Sequence, residues 1–219
     1  MLMIKNRHLY ILLIFSFLLF ASCGRVEKNY YPNGGLESEI PYKQGQLHGT
    51  AVWYYPHGKK SLEITYKNGR KEGEMKRFFR NGTIETIENY KNDSLDGISL
   101  KYGENGVLLS EISYKNGKKD GIFKQYFSDG SLFITGKYTD DQYDGKWEYF
   151  DQEGFTVGEG NFIKGVGVLV GYDNSGNITK KVHYQNSILC KEEMYSKENH
   201  QIEKTIIYEN GRIIDIINN

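Results

Sequence analysis

Along most of the chain apolar and polar residues alternate one by one. Leu62, Ile64 and Tyr66 take one parity while Glu63 and Thr65 take the other. Leu36, Ile40 and Tyr42 repeat the pattern, as do Leu108, Ile112 and Tyr114. Val52 and Tyr54, then Ile98, Leu100 and Tyr102, then Val168, Val170 and Tyr172 form a second set. Strict alternation puts the apolar side chains of a strand on one face, so each stretch is predicted to be a half-buried β-strand. No stretch after residue 30 carries a helical period.

The strands are punctuated at fixed distances. Steps of 24 from Tyr30 reach Tyr54, Phe78, Tyr102, Tyr126 and Phe150, and a step of 22 then reaches Tyr172. A glycine stands four residues after each, from Gly34 to Gly176, and an aromatic residue twelve after, from Tyr42 to Tyr184, with Tyr208 twelve after a last landing at Ser196. A second glycine stands nineteen after the first five, from Gly49 to Gly145. A period of roughly 20 to 50 residues marks a tandem array whose units bury their apolar faces on their neighbours. Each period holds two turn signals, one such as "PNG", "RNG" or "SDG" and one such as "KNG". Asn-Gly and Asp-Gly supply the positive φ of hairpin turns, so each period is two antiparallel strands. The fold class is therefore all-β, an elongated antiparallel β-meander of about eight hairpins and sixteen strands over 30–219, degenerate after 186.

The two ends of the meander are edges. Pro41 lies in the first predicted strand, where an edge tolerates a missing amide. The last segment, "GRIIDIINN", is apolar on both faces apart from Asp215, so Ile213 and Ile217 are expected to be covered or to meet a partner.

The beginning of the chain is of another kind. Lys5 and Arg7 precede an apolar run from Leu9 to Phe20, closed by Ala21, Ser22 and Cys23. The run is shorter than the roughly 20 residues that span a bilayer, which reads as a signal peptide over 1–22. "FASCG" resembles the lipobox of bacterial lipoproteins, and that resemblance implies lipidation of Cys23, a short tether over 23–29 and a membrane anchor. Gly24 after the cysteine, in place of an Asp, favours the outer membrane over the inner in a cell that has both.

Within the array, the sequence aromatic, three residues, Gly, then "YKNG", then "xxG" resembles the MORN repeat, and more closely the bacterial variant of the YwqK-type antitoxin family. The resemblance implies twisted sheets built from hairpins, with a groove on one side. The antitoxin label belongs to gene context in other organisms and not to the repeat.

Composition adds exclusions. The chain has 28 basic and 28 acidic residues, a balance with no global pull towards nucleic acid. Beyond Cys23 the only cysteine is Cys190, which leaves no intrachain disulfide in the mature chain. The repeat consumes almost every residue from 30 onward, so no catalytic domain, cofactor or metal site is expected. His48, His57, His183 and His200 are scattered, without zinc spacing.

Four features remain as candidates. Glu72, Asp96, Asp120 and Asp144 recur before the second glycines and are sufficiently explained as turn formers; "DDQYDG", 140–145, lacks the terminal glutamate of a calcium loop. Tyr66, Tyr90 and Tyr114, each followed by Lys67, Lys91 or Lys115, form an aromatic and basic row suited to a carbohydrate or a lipid headgroup. Gly158 and Gly160 fall where other repeats carry side chains, which marks a bulge, a bend, a close approach of backbone, or an open surface for a partner. The fourth is the Ile213 to Ile217 segment. The expected function is a non-catalytic, lipid-anchored β-repeat scaffold that binds an unknown protein, with a toxin as one candidate partner.

Overall fold

The computed structural model describes residues 24–219; Cys23 and the leader lie outside the described residues. Nineteen antiparallel strands form one sheet, with no helix among the described residues. Each strand packs on its neighbours in sequence, from Arg25–Tyr30 at one edge to Arg212–Asn218 at the other. The sixteen expected strands are present, two of them divided. Gln46–Leu47 is split from Gly49–Tyr54, and Ser94–Leu95 from Gly97–Tyr102.

One strand is additional. Arg25–Tyr30 pairs with Leu36–Lys43, so most of the tether expected at 23–29 is a strand, and the array begins at 25. Pro41 is thereby flanked on both sides and is not on an edge. Its missing amide is accommodated because the next strand is interrupted beside it: Tyr42 faces Leu47 and Glu39 faces Val52, so the four residues from His48 to Ala51 stand opposite Ile40 and Pro41 alone. The Pro41 carbonyl still accepts the His48 amide at 3.0 Å.

The two kinds of turn differ. Lys67 pairs with Arg70 across Asn68 and Gly69, both left-handed at φ 51° and 81°, which is the two-residue turn that the strand twist favours. In "RNG" only Gly82 is left-handed, at φ 91°. That loop is wider, closed by Gly82 N–H to Phe79 C=O and Phe79 N–H to Thr83 C=O, both 2.9 Å. Asn81 accepts the Thr83 amide on Oδ1 at 2.9 Å instead of turning left-handed.

The two-residue turns also couple the repeats. Gly69 donates to Leu47 C=O at 2.8 Å, Asp93 to Lys71 at 3.1 Å, Gly117 to Leu95 at 2.8 Å and Asp141 to Lys119 at 2.9 Å. Where aspartate replaces glycine it adds a bond: Asp93 Oδ1 accepts the Lys71 amide and Asp141 Oδ1 the Lys119 amide, each at 2.8 Å. Asp141→Ala is expected to cost about 2 kcal/mol, roughly one from the lost cap and one from the left-handed φ of 66°. Asp141→Gly, which keeps only the backbone freedom, is expected to cost about half as much; urea unfolding of both variants checks this.

The second glycines form bulges. Ile112 faces Phe123 and Tyr114 faces Lys119, so Asp120, Gly121 and Ile122 stand opposite Ser113 alone, with Gly121 at φ 117°. On one face Ala51 faces Ile64 and Ile64 faces Met75, all three buried, whereas Val52 faces Glu63 and Ile98 faces Ser113 on the other.

That face is best filled in the middle of the sheet. Phe123 faces Gly136, Trp147 faces Gly160 and Gly160 faces Leu169, so large and small residues alternate across the strands. Phe123 and Trp147 stack over Gly136 with centroids 5.4 Å apart, and Trp147 Nε1 donates to Lys137 C=O at 3.1 Å. Tyr138, Tyr143, Phe162 and Tyr184 close the cluster with ring centroids 4.6 to 5.6 Å apart.

Candidate functional site

The aromatic row is on the apolar face and mostly inside it. Tyr66, Tyr90 and Tyr114 are half-buried and Tyr138 is buried. Lys67, Lys91 and Lys115 follow them directly, are exposed, and leave the strand towards the opposite side. The structure thus does not join these lysines and tyrosines into one surface. Other cations lie over the rings: Lys71 Nζ is 4.7 Å from the Tyr90 centroid and Lys119 Nζ 4.9 Å from that of Tyr138. They come from the hairpin before, and only the cross-strand register could have revealed them.

Burial raises the phenol pKa along this row. Desolvation, then the bond from Tyr90 Oη to Glu88 Oε2 at 2.8 Å, pushes Tyr90 up to about 12. Burial also raises Tyr66, Tyr114, Tyr138, Tyr149 and Tyr184. A folded pKa above the unfolded value of about 10 contributes stability that is complete below pH ~10 and lost as pH rises through the folded value. The contribution of these phenols is therefore expected to be flat to about pH 10 and to fall above it, with phenolate absorbance rising together with loss of near-ultraviolet circular dichroism. Phenols that ionise freely near pH 10 without unfolding would contradict this.

The opposite face carries paired charges beside exposed apolar residues such as Ile98 and Ile122. Lys28 meets Glu39 at 2.8 Å, and Lys146 lies 2.7 Å from Glu148 and 3.5 Å from Glu159. Tyr54 Oη donates to Glu39 at 2.8 Å. Near the last strands Glu193 accepts from Lys191 at 2.7 Å and contacts His183 Nε2 at 3.1 Å; Lys191 first, and His183 after it, hold its carboxyl below the usual range. The Cys190 thiol beside them donates to His183 C=O at 3.2 Å. The pairs of Lys28 and Lys146, whose lysines are about half exposed, set a charge pattern that a partner can read and add little to stability.

The remaining candidates have structural occupations. Glu72 accepts the Asn92 amide at 2.9 Å and Asp96 the Asn116 amide at 3.2 Å, each reaching the next hairpin. Asp140 pairs with Lys118, and Asp144 accepts from Thr139 Oγ1. Among the described residues no three His, Cys, Asp or Glu side chains converge as a metal site. Gly158 and Gly160 are buried. A Cβ on Gly160 would meet Val168 O at 2.6 Å, and one on Gly158 would meet Val170 O at 3.1 Å. Of the readings open for these glycines, the structure shows close approach of backbone, and the space is filled by the chain itself. Ile213 and Ile217 are about half exposed on the last strand.

The pairing of strands, the spacing of turns and the bulge glycines all recur with the period of the sequence. No curated protein matches the chain. The family model of the MORN repeat variant matches residues 26–44, 47–68, 71–92, 95–116, 119–140 and 166–186, more than half of the chain. The unmatched stretch between the last two contains Trp147, Gly158 and Gly160, where aromatic packing replaces the regular repeat. MORN-repeat proteins are in general non-catalytic binding scaffolds. The chain belongs to the MORN repeat variant family.

Proposed function

We propose that this chain is a non-catalytic scaffold that binds another protein at the bacterial envelope and is held there by lipid on Cys23. The observation that carries the binding half is a sheet of mutually supporting hairpins that presents patterned charge on one face and an unpaired apolar strand at its end. The anchoring half rests on the apolar run Leu9 to Phe20 followed by Ala21, Ser22 and Cys23. On this reading Gly24 alone separates the acylated residue from the strand that starts at Arg25. Two residues reach about 7 Å, so the first hairpin stands directly on the bilayer and not on a flexible stalk.

Cys23→Ala tests the anchor. Metabolic labelling with a fatty acid is expected to mark the wild type and not the variant, and the variant is expected to leave the membrane fraction. Equal membrane association of both would overturn the anchor. Crosslinking in native cells, read by mass spectrometry, tests the partner; a partner that is a toxin would make the chain an immunity protein.

A further inference from the structure

All seven residues of Arg212–Asn218 are exposed, and Ile213, Ile214, Ile216 and Ile217 are 54, 58, 47 and 45 % exposed. The strand pairs with Ile202–Glu209 on one side, and no described strand pairs with the other. The edge at Arg25–Tyr30 is different: it carries Arg25, Glu27 and Lys28, with Arg25 and Lys28 bridged to Glu27 and Glu39, the kind of charged edge that discourages pairing. Between Ile213 and Ile217 the last strand carries one charge, Asp215.

The register says which amides point outward. Asn219 N–H donates to Glu203 C=O at 2.9 Å, while Asn218 faces Lys204 and Ile216 faces Ile206. Bonded and non-bonded pairs alternate along an antiparallel ladder, so residues 215 and 217 bond inward and Ile216 turns its amide to the open side. That amide is occupied: Asp215 Oδ1 accepts the Ile216 N–H at 2.8 Å. One carboxylate therefore both charges the edge and covers an amide to which an added strand would bond.

We propose that the open side of Arg212–Asn218 is a strand-addition site for an extended segment of another protein that places Lys or Arg opposite Asp215, and that Asp215 sets this choice. The proposal rests on the protein-binding reading above and names its partner chemistry. A second copy paired along the full strand would set Asp215 opposite its own equivalent, about 4.5 Å apart at Cα, where like charges are destabilising. A basic side chain in that place takes the carboxylate as an ion pair and draws it off the Ile216 amide, which then donates to the incoming carbonyl. Isoleucines on both faces supply apolar contacts to alternate residues of the added strand.

The test uses two synthetic peptides of alternating Thr and Val, one with Lys and one with Glu at the centre, titrated against the chain and its Asp215→Lys variant. The Lys peptide is expected to bind the wild type roughly tenfold more tightly than the Glu peptide, and the order is expected to reverse for Asp215→Lys. Equal binding of the two peptides, binding of neither, or a wild-type dimer or filament in sedimentation that disappears on replacing Asp215 would each overturn the proposal. Cellular crosslinking to a partner that persists in Asp215→Lys would overturn it too, while leaving the scaffold reading intact.

Discussion

Replacing Gly136 by valine is expected to lower the unfolding free energy by about 3 kcal/mol. A Cβ on Gly136 would lie 2.2 Å from Trp147 Cδ2 and 2.4 Å from Cε2, far inside any real contact. Its φ is not left-handed, so the cost is one of space and not of backbone strain. The indole cannot yield cheaply: it is 3 % exposed, stacked on Phe123 and edge-on to Tyr138 and Tyr143. Trp147→Ala is expected to cost about 3 to 5 kcal/mol by leaving the cluster hollow. In that background the valine at 136 meets no ring, so the double variant is expected to be little worse than Trp147→Ala alone, a strong coupling between the two sites. At about 2 to 4 °C per kcal/mol, Gly136→Val alone should lower the Tm by roughly 6 to 12 °C, read in near-ultraviolet circular dichroism. A Tm within about 2 °C of the wild type would show that the ring has somewhere else to go.

That coupling marks the boundary of what the sequence made legible. Period, parity and turn residues act along the chain, and they were enough to place Ile64 on the buried side and Asn68-Gly69 in a hairpin turn. Phe123, Gly136, Trp147 and Gly160 form a row across strands, and their alignment depends on each bulge in between. One residue of offset would send them to opposite faces, so the pattern cannot be read without the register. The same cause hid Lys71 and Lys119, and it made "RNG" look like "KNG" although only the second forms the two-residue turn. Arg25–Tyr30 escaped because its polar alternation, on an edge with every residue exposed, lacks an apolar parity.

The site was legible in composition more than in geometry. Tyr66 and Lys67 are neighbours in sequence, which in a strand means opposite faces, so adjacency in the repeat separated what it was expected to combine. Gly158 and Gly160 were visible as departures, and their meaning lay in the carbonyls of Val168 and Val170 on the next strand. The Ile213 to Ile217 segment was visible as an apolar edge, whereas the role of Asp215 needed the direction of one amide.

The largest backbone effect is expected at Gly121→Val, at about 4 kcal/mol. Its φ of 117° is a region that only glycine enters freely, which costs a β-branched residue of order 1 to 3 kcal/mol. The added Cβ would also lie 2.7 Å from Ser113 Cβ and 3.1 Å from its hydroxyl, a clash of similar cost. Gly145, at φ 71° with nothing within 4 Å, separates the two terms: Gly145→Asn meets only the mild left-handed penalty that asparagine tolerates. The bulge at Gly121 sets Phe123 against Ile112, and removing it would slip the pairing by two residues and bring position 121, not Phe123, opposite Ile112. Because each hairpin is supported by its neighbours, the damage is expected to stay local. Hydrogen exchange should speed up in Leu108–Lys115 and Lys118–Tyr126 while Ile178–Gln185 keeps its protection. Uniform loss along the whole sheet would mean that the array unfolds as one cooperative unit, and nearest-neighbour coupling would then be the wrong description of what holds the hairpins together.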